Sequence, residues 1–151
     1  MDRRTFFRSA LAAGAAVLLE ARYLAALAAQ PLVVYKSPTC GCCAKWVDHV
    51  KANGFQPEVH DVDDINAIKV KHGVPAELAS CHTALAGGYV FEGHVPADLL
   101  ARVLSEKPKI LGIAAPGMPI GSPGMEMGGR KDPLKIIAFT RDGKTSVYAQ
   151  R

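Results

Sequence analysis

The chain has 151 residues, a formal net charge of +4 and a composition that is 49% hydrophobic and 21% charged. A chain of this length suits one domain, and this balance of apolar and charged residues excludes a disordered or fibrous protein. The basic residues form no cluster of the kind that binds nucleic acid, so nucleic acid is excluded as a partner.

Residues 1–29 have the organisation of an export signal. Arg3, Arg4 and Arg8 precede an apolar run at 10–19, and an alanine-rich segment with A-x-A sites follows. The run is too short for a transmembrane span, and the basic start resembles a twin-arginine signal. We expect cleavage near 28–30 and a periplasmic mature domain at 30–151 that does not span the membrane; an uncleaved anchor helix is the alternative. Removal of four Arg and two acidic residues leaves a net charge of +2.

The first part of the mature chain alternates strands with helices. The predicted elements are a strand at 32–35, a helix at 44–53, a strand at 59–62, a helix at 65–71, strands at 83–85 and 89–91, and a helix opened by 95–98. Gly54 ends the first helix, Asp63 or Asp64 caps the second, and Gly87-Gly88 is typical of a hairpin. The order β-α-β-α-β-β-α predicts an α/β, thioredoxin/glutaredoxin-like fold, in which a crossover makes the first strand pair parallel.

The C-terminal part of the sequence predicts a long loop and a hairpin instead of alternating strands and helices. Residues 112–133 contain six Gly and four Pro, which predicts a long surface loop rather than a helix or a strand. Residues 134–140 and 146–149, joined by a turn, predict a terminal β-hairpin.

Three cysteines lie within the segment Cys40-Gly41-Cys42-Cys43, after the first strand and at the start of the first helix. Cys40 and Cys43 have the C-x-x-C spacing of a thioredoxin-like redox pair, and a helix N-terminus favours a thiolate. A thiolate is both a nucleophile for disulfide exchange and a soft metal ligand. Cys42 would misdirect disulfide exchange but suits a metal centre. Because the adjacent Cys42 and Cys43 point differently, we expect them to bind different ions of a multinuclear, thiolate-bridged centre.

Cys81-His82 supplies the fourth thiol and an imidazole at the start of the third strand. That strand should lie beside the first, so Cys81 or His82 could approach the cysteine segment. His94 follows the fourth strand and is either a ligand or a surface residue. Two structural disulfides and a structural zinc site are the alternatives, although the usual paired zinc-ligand spacings are absent from the sequence. The remaining histidines are interpreted as solvated or packing residues: His49, His60 and His72.

Three methionines, Met118, Met125 and Met127, lie in one ten-residue window of the Gly/Pro-rich loop. No helical or strand periodicity would bury them in a core. Thioether and thiolate sulfur together form the ligand set that selects Cu(I). The loop methionines and the cysteines therefore indicate a copper site.

The chain resembles the CopG-like family of periplasmic copper-resistance proteins. The resemblance lies in YKSPTCGCCAKWVDHVKANGF (35–55), SCHTALAGGYVFEGHVPAD (80–98) and GIAAPGMPIGSPGMEMG (112–128), which together cover most of the mature chain. It implies a thioredoxin-like fold, more than one Cu(I) ion in a thiolate-bridged cluster, and a role in handling toxic copper, with interconversion of Cu(I) and Cu(II) as the enzymatic activity it suggests. By position it implies these ligands: the thiolates Cys40, Cys42, Cys43 and Cys81, with His82, His94, Met118, Met125 and Met127 beside them.

The sequence supports two candidate functions. The first is a periplasmic copper-binding protein that passes copper or electrons to another periplasmic carrier or an efflux component. The second is a thiol–disulfide oxidoreductase that uses Cys40 and Cys43.

Overall fold

A computed structural model describes residues 31–151 of the chain. The export signal predicted at 1–29 lies outside the described residues. Within those residues the chain is a mixed α/β unit, as predicted. In chain order its elements are β1 (Pro31–Lys36), α1 (Gly41–Ala52), β2 (Gln56–Asp61), α2 (Ile65–Lys71), a short 3₁₀ turn (Ala76–Leu78), β3 (His82–Ala86), β4 (Tyr89–Gly93), α3 (Ala97–Glu106), β5 (Gly112–Ala115), β6 (Lys135–Phe139) and β7 (Thr145–Gln150). The strands and α-helices up to α3 follow the predicted order.

The strands form one sheet in the order β2-β1-β3-β4-β5-β6-β7. The β1–β2 and β4–β5 pairs are parallel, and the other neighbouring pairs are antiparallel. Lys36 at the end of β1 pairs with His82 at the start of β3. This register brings the residues that follow Lys36 next to the residue that precedes His82, and both segments carry cysteine.

Apolar side chains pack on both faces of the sheet because successive residues of a strand point to opposite faces. One face holds the larger core, which includes Trp46 and Val50 of α1, Leu100 and Val103 of α3, and Leu32, Val34, Phe91 and Ile113 of the strands. The other face holds a smaller core of Val74, Leu78, Val90, Leu111, Ala114 and Phe139. Helix α2 covers this second face, where Lys69 reaches Thr83 of β3 and Glu92 of β4.

The prediction of a continuous loop at 112–133 is wrong at its start. Residues Gly112–Ala115 form β5, which is fully buried and parallel to β4. A Cβ on Gly112 would collide with the Val90 carbonyl and the Phe139 ring, so glycine permits the close approach of the neighbouring strands. The glycine that suggested a loop is therefore a packing residue. Residues 116–134 form a loop, as predicted, that contains one isolated bridge between Met127 and Arg130.

Helix α1 begins at Gly41, three residues before its predicted start. Cys40 is the N-cap residue, its carbonyl accepts the hydrogen bond of the Ala44 N–H, and its side chain makes no capping hydrogen bond. This start was not predicted because glycine is a poor helix former and the residue before Gly41 has no typical capping side chain. As a result, Cys42 and Cys43 lie in the first turn. No helix described in residues 31–151 is long and apolar enough to cross a membrane.

Candidate metal centre

The four cysteines converge where β1 ends, α1 begins and β3 starts. Their four sulfur atoms all lie within 4.8 Å of one another. Cys43 is fully buried, whereas Cys42 and Cys81 are partly exposed. The prediction that Cys81 or His82 could approach the cysteine segment is confirmed for Cys81, because the β1–β3 register sets the two segments side by side.

Cys40 and Cys43 form a disulfide whose Cα atoms are 5.3 Å apart. Cys42 and Cys81 are not disulfide-bonded, so the four cysteines, all of which lie in the described residues, form one disulfide rather than two. Cys42 Sγ is 3.6 Å from Cys40 Sγ and 4.0 Å from Cys81 Sγ. Cys42 therefore stands between the disulfide and the fourth cysteine.

The thiol of Cys81 is partly shielded from water. Burial raises its pKa above the ordinary value; a hydrogen bond from Ser80 opposes this shift, and the neighbouring Cys42 adds to it. A thiol with a raised pKa keeps its proton near neutral pH, so Cys81 is a poor free nucleophile. It becomes a ligand when a metal ion displaces that proton.

His94 is buried, so the alternative that it is a surface residue is wrong. Its Nε2 lies 3.2 Å from Cys81 Sγ, and its Nδ1 lies 2.7 Å from the Pro123 carbonyl oxygen. A carbonyl only accepts hydrogen bonds, so Nδ1 carries the hydrogen and Nε2 keeps its lone pair. Burial lowers the pKa of His94, which favours this neutral form. His94 is thus oriented as a nitrogen donor beside Cys81.

His82 is fully buried, and neither of its ring nitrogens has a hydrogen-bond partner. Its ring packs 4.3 Å from the Trp46 ring and 5.1 Å from the His94 ring, measured between centroids. Burial first, and then the electrostatic influence of the neighbouring His94 and Lys69, hold the pKa of His82 well below the usual range. The Gly93 backbone opposes this shift, although it makes no hydrogen bond to the ring. An unsatisfied buried polar group destabilises a protein by about 1–3 kcal/mol.

A soft metal ion would give those unpaired nitrogens a partner. Cys81, His82 and His94 offer ligand atoms that lie within 4.8 Å of one another, and this group shares Cys81 with the group of four cysteines. Thiolate and imidazole donors suit Cu(I) and Zn²⁺ better than hard cations such as Mg²⁺ or Ca²⁺. Two donor groups that share one sulfur can hold more than one ion.

The loop 116–134 contacts this cluster through its backbone. The Gly117 carbonyl accepts a hydrogen bond from Ser80 Oγ at 2.6 Å, and the Pro123 carbonyl accepts from His94. Gly124 packs so closely on the first turn of α1 that a Cβ there would lie 2.8 Å from the Cys42 carbonyl oxygen. The loop therefore covers the cysteine segment.

The loop methionines lie outside the core. Met118 and Met127 are 56% and 59% exposed, and Met125 is partly buried. These side chains stand on the loop that covers the cluster.

The remaining histidines have packing roles. His49 Nε2 accepts a hydrogen bond from the Ala97 N–H at 3.1 Å and so caps helix α3. His60 and His72 both stack against Tyr35. These contacts agree with the interpretation of the three histidines as solvated or packing residues.

Three residues next to the cysteine cluster were not predicted from the sequence: Ser80, Lys69 and Glu92. Ser80 touches both Cys81 and the loop, and Glu92 accepts hydrogen bonds from Ser80 and Lys69. The one available signal was Glu92, an acidic residue directly after the apolar strand predicted at 89–91.

Comparisons with known proteins relate the chain to copper-resistance proteins. A family model described as a protein of unknown function, DUF411, matches residues 78–125. No curated protein matches the chain. A solved structure described as form 2 of the copper resistance protein CopG is 42% identical, with a TM-score of 0.77, and the match covers 81% of this chain and 98% of that one. Form 1 of the same protein is 43% identical, with a TM-score of 0.76, and the match covers 80% and 96% of the two chains.

Proposed function

Because the chain belongs to the CopG family of copper-resistance proteins, we propose that it binds Cu(I) in a thiolate-bridged site and acts in copper resistance. The copper-related role follows from the family, and a cluster of four cysteines that could hold a metal ion supports it. The ion, its oxidation state and the number bound are parts of the proposal.

The observation that carries the proposal is the pair of donor groups that share Cys81. Cys40, Cys42 and Cys43 complete one group with this sulfur, and His82 and His94 complete the other. A thiolate has several lone pairs and can serve two ions at once. Cys81 is therefore the residue that we assign as a bridge.

The protein's own groups are suited to a soft ion. His94 presents an unprotonated Nε2 because Pro123 fixes its tautomer, and His82 has two nitrogens without partners. Cys40 is the N-cap residue of helix α1, and Cys42 and Cys43 lie in its first turn, where the helix dipole favours negative sulfur. Bound copper would supply one-electron redox chemistry, and we include conversion between Cu(I) and Cu(II) in the proposed activity.

The Cys40–Cys43 disulfide sets a condition on the site. Its two sulfurs become thiolate ligands only after reduction by two electrons from an external reductant. In the oxidised protein Cys42, Cys81, His82 and His94 remain as donors. We therefore propose that the reduced protein has the full copper capacity.

The same disulfide favours a second candidate function, a thiol–disulfide oxidoreductase. Cys40 is partly exposed and lies at the N-cap of α1, whereas Cys43 is buried behind it. An exposed attacking thiol and a shielded resolving thiol are what disulfide exchange requires. Cys42, at 3.6 Å from Cys40 Sγ, would compete with Cys43 as the resolving thiol.

We also propose a thioredoxin-like assignment for the fold and a periplasmic location for the protein. The parallel β1–β2 pair joined through α1, with β3 antiparallel beside β1, supports the first. The basic and apolar pattern of residues 1–29 supports a twin-arginine export signal. From such a location copper would pass to another periplasmic carrier or to an efflux component.

Metal analysis of the reduced protein after anaerobic Cu(I) loading tests the main proposal. We expect more than one Cu(I) per chain, and a lower number in Cys42→Ser. Ser37→Ala is the matched control, because it changes a hydroxyl of the same segment without removing a sulfur. One ion or fewer per chain in the wild type, unchanged in Cys42→Ser, would contradict the cluster.

A disulfide-reduction assay with a protein substrate separates the two candidate functions. The oxidoreductase requires activity that Cys40→Ser abolishes and that survives Cys42→Ser and replacement of all three loop methionines. Copper binding that depends on Cys42, without such activity, favours the copper protein.

A further inference from the structure

A buried ion pair lies beside the segment that carries Cys81, on the face of the sheet that α2 covers. Glu92 Oε1 accepts hydrogen bonds from Lys69 Nζ at 2.5 Å and from the Ser80 N–H at 2.6 Å, and Oε2 accepts from Thr83 Oγ1 at 2.7 Å. The side chain of Glu92 is fully buried, and that of Lys69 is 5% exposed. Such a pair is a weak source of stability because desolvation of both charges offsets their attraction. The pair matters for the cysteine cluster because Glu92 also binds the backbone N–H of Ser80, the residue before Cys81.

Ser80 links this ion pair to the loop. While its N–H is held by Glu92, its hydroxyl donates to the Gly117 carbonyl at 2.6 Å and lies 3.7 Å from Cys81 Sγ. Ser80 packs closely against Gly93, since a Cβ on Gly93 would lie 2.6 Å from the Ser80 Cβ. One residue thus contacts the buried carboxylate, the bridging cysteine and the loop.

We propose that Ser80 and Glu92 are positioning residues of the cysteine cluster, a role that rests on the proposed copper function. Glu92 fixes the main chain that presents Cys81, which keeps this sulfur 4.0 Å from Cys42 Sγ. The Ser80 hydroxyl fixes the loop at Gly117, one residue before Met118. Neither residue is a ligand in the two donor groups, so both act through Cys81 and the loop.

Ser80→Ala tests the hydroxyl, because it leaves the backbone N–H to Glu92 in place. Loss of a group that orients a metal ligand weakens metal affinity by about 10- to 100-fold, and we expect a loss of this size in competition with a chromophoric Cu(I) chelator. In the reduced, metal-free protein we expect a maleimide to alkylate Cys81 faster in Ser80→Ala than in the wild type, as measured by peptide mass spectrometry. Ser105→Ala is the matched control: its hydroxyl also donates to a carbonyl, that of Arg102, but on the exposed side of α3.

Two double variants test the carboxylate without leaving a buried charge. Lys69→Met/Glu92→Gln keeps an amide oxygen that accepts from the Ser80 N–H, whereas Lys69→Met/Glu92→Leu removes the acceptor. Both pairs are neutral, so a purely structural role predicts similar Cu(I) affinity in both. We expect near wild-type affinity with Gln and a loss of about tenfold or more with Leu, together with faster Cys81 alkylation in the Leu variant only.

The outcomes separate this inference from the function on which it rests. A wild-type protein that binds no Cu(I) overturns the copper function, and Cys81 alkylation then still decides the positioning role. Copper binding by the wild type, with Ser80→Ala equal to Ser105→Ala in both affinity and Cys81 alkylation, overturns the role of Ser80. Equal values for the Gln and Leu double variants overturn the role of Glu92.

Discussion

Replacing Gly124 by alanine tests whether the loop must lie against the first turn of α1. Gly124 has a φ of +85°, and a Cβ there would lie 2.8 Å from both the Cys42 carbonyl oxygen and the Trp46 backbone nitrogen. Ordinary van der Waals contact begins at 3.4 Å, and backbone atoms cannot rotate out of the way. The loop would therefore have to retreat by about 0.6 Å, the difference between the two distances.

Two contributions to the change in stability can be separated with a matched control. Alanine in the left-handed region is strained by about 1–2 kcal/mol. Gly129→Ala in the same loop shares this strain, since Gly129 has a φ of +78° and no neighbour within 4 Å of the added Cβ. Overpacking adds about 1–3 kcal/mol, which only Gly124→Ala should show.

Urea denaturation of the reduced, metal-free protein measures this difference, and a chelator competition measures the Cu(I) affinity of both variants. If the loop moves away instead of straining the helix, the change appears as a weaker Cu(I) affinity, by about tenfold, because Pro123 no longer holds His94 in place. Gly124→Ala and Gly129→Ala with equal stability and equal affinity would show that the loop does not need this contact.

Three other substitutions have expected outcomes. Trp46→Phe removes the indole N–H that donates to the Val95 carbonyl at 2.8 Å; we expect a loss of about 1–3 kcal/mol in the free energy of unfolding, measured with urea. His82→Leu removes two unpaired buried nitrogens; we expect the metal-free protein to be as stable as the wild type or more stable, and Cu(I) binding to fall, whereas a marked loss of stability with intact binding would contradict the assignment of His82 as a ligand. Lys69→Met leaves Glu92 as an unpaired buried charge; thermal and urea unfolding should show a loss of about 3–5 kcal/mol, and adding Glu92→Gln should recover most of it.

Local patterns were sufficient to predict most of the elements. Helix α2 has the predicted bounds because Asp64 caps it through hydrogen bonds to the N–H groups of Asn66 and Ala67. Helix α1 ends before Gly54, whose φ of +89° suits glycine. Such signals involve residues only three or four positions apart, so they can be recognised in a single sequence.

Strand β5 and the environment of His94 could not be predicted in this way. The residues Gly112–Ala115 form a strand because β4 and β6 lie on either side and bury them, not because of their own propensity. His94 is buried because the loop, 29 residues further along the chain at Pro123, folds over it. Both results depend on contacts between distant segments, which single-sequence patterns do not reveal.

The cysteines show the same difference between local signals and contacts between distant segments. The spacing of Cys40 and Cys43 was enough to predict a redox-like pair, and these two residues form a disulfide. The approach of Cys81 needed the β1–β3 register in addition, because a slip of one residue would have moved the pairing away from Lys36 and His82. Cys81 and His82 are adjacent, yet their ligand atoms lie within 4.8 Å of each other. Cys81 precedes β3, so the alternation of side chains between the two faces of the sheet does not separate them.

The loop and the sulfur cluster behave as one structural unit because three separate contacts join them. Ser80 holds Gly117, His94 holds Pro123, and Gly124 lies on the first turn that carries Cys42. Two of these contacts end on groups that touch Cys81, so a displacement of the loop would alter both the setting of that sulfur and the tautomer of His94. Met118 and Met125 each directly follow one of the anchored residues, Gly117 and Gly124, so a displacement of the loop would also move the backbone of these two methionines.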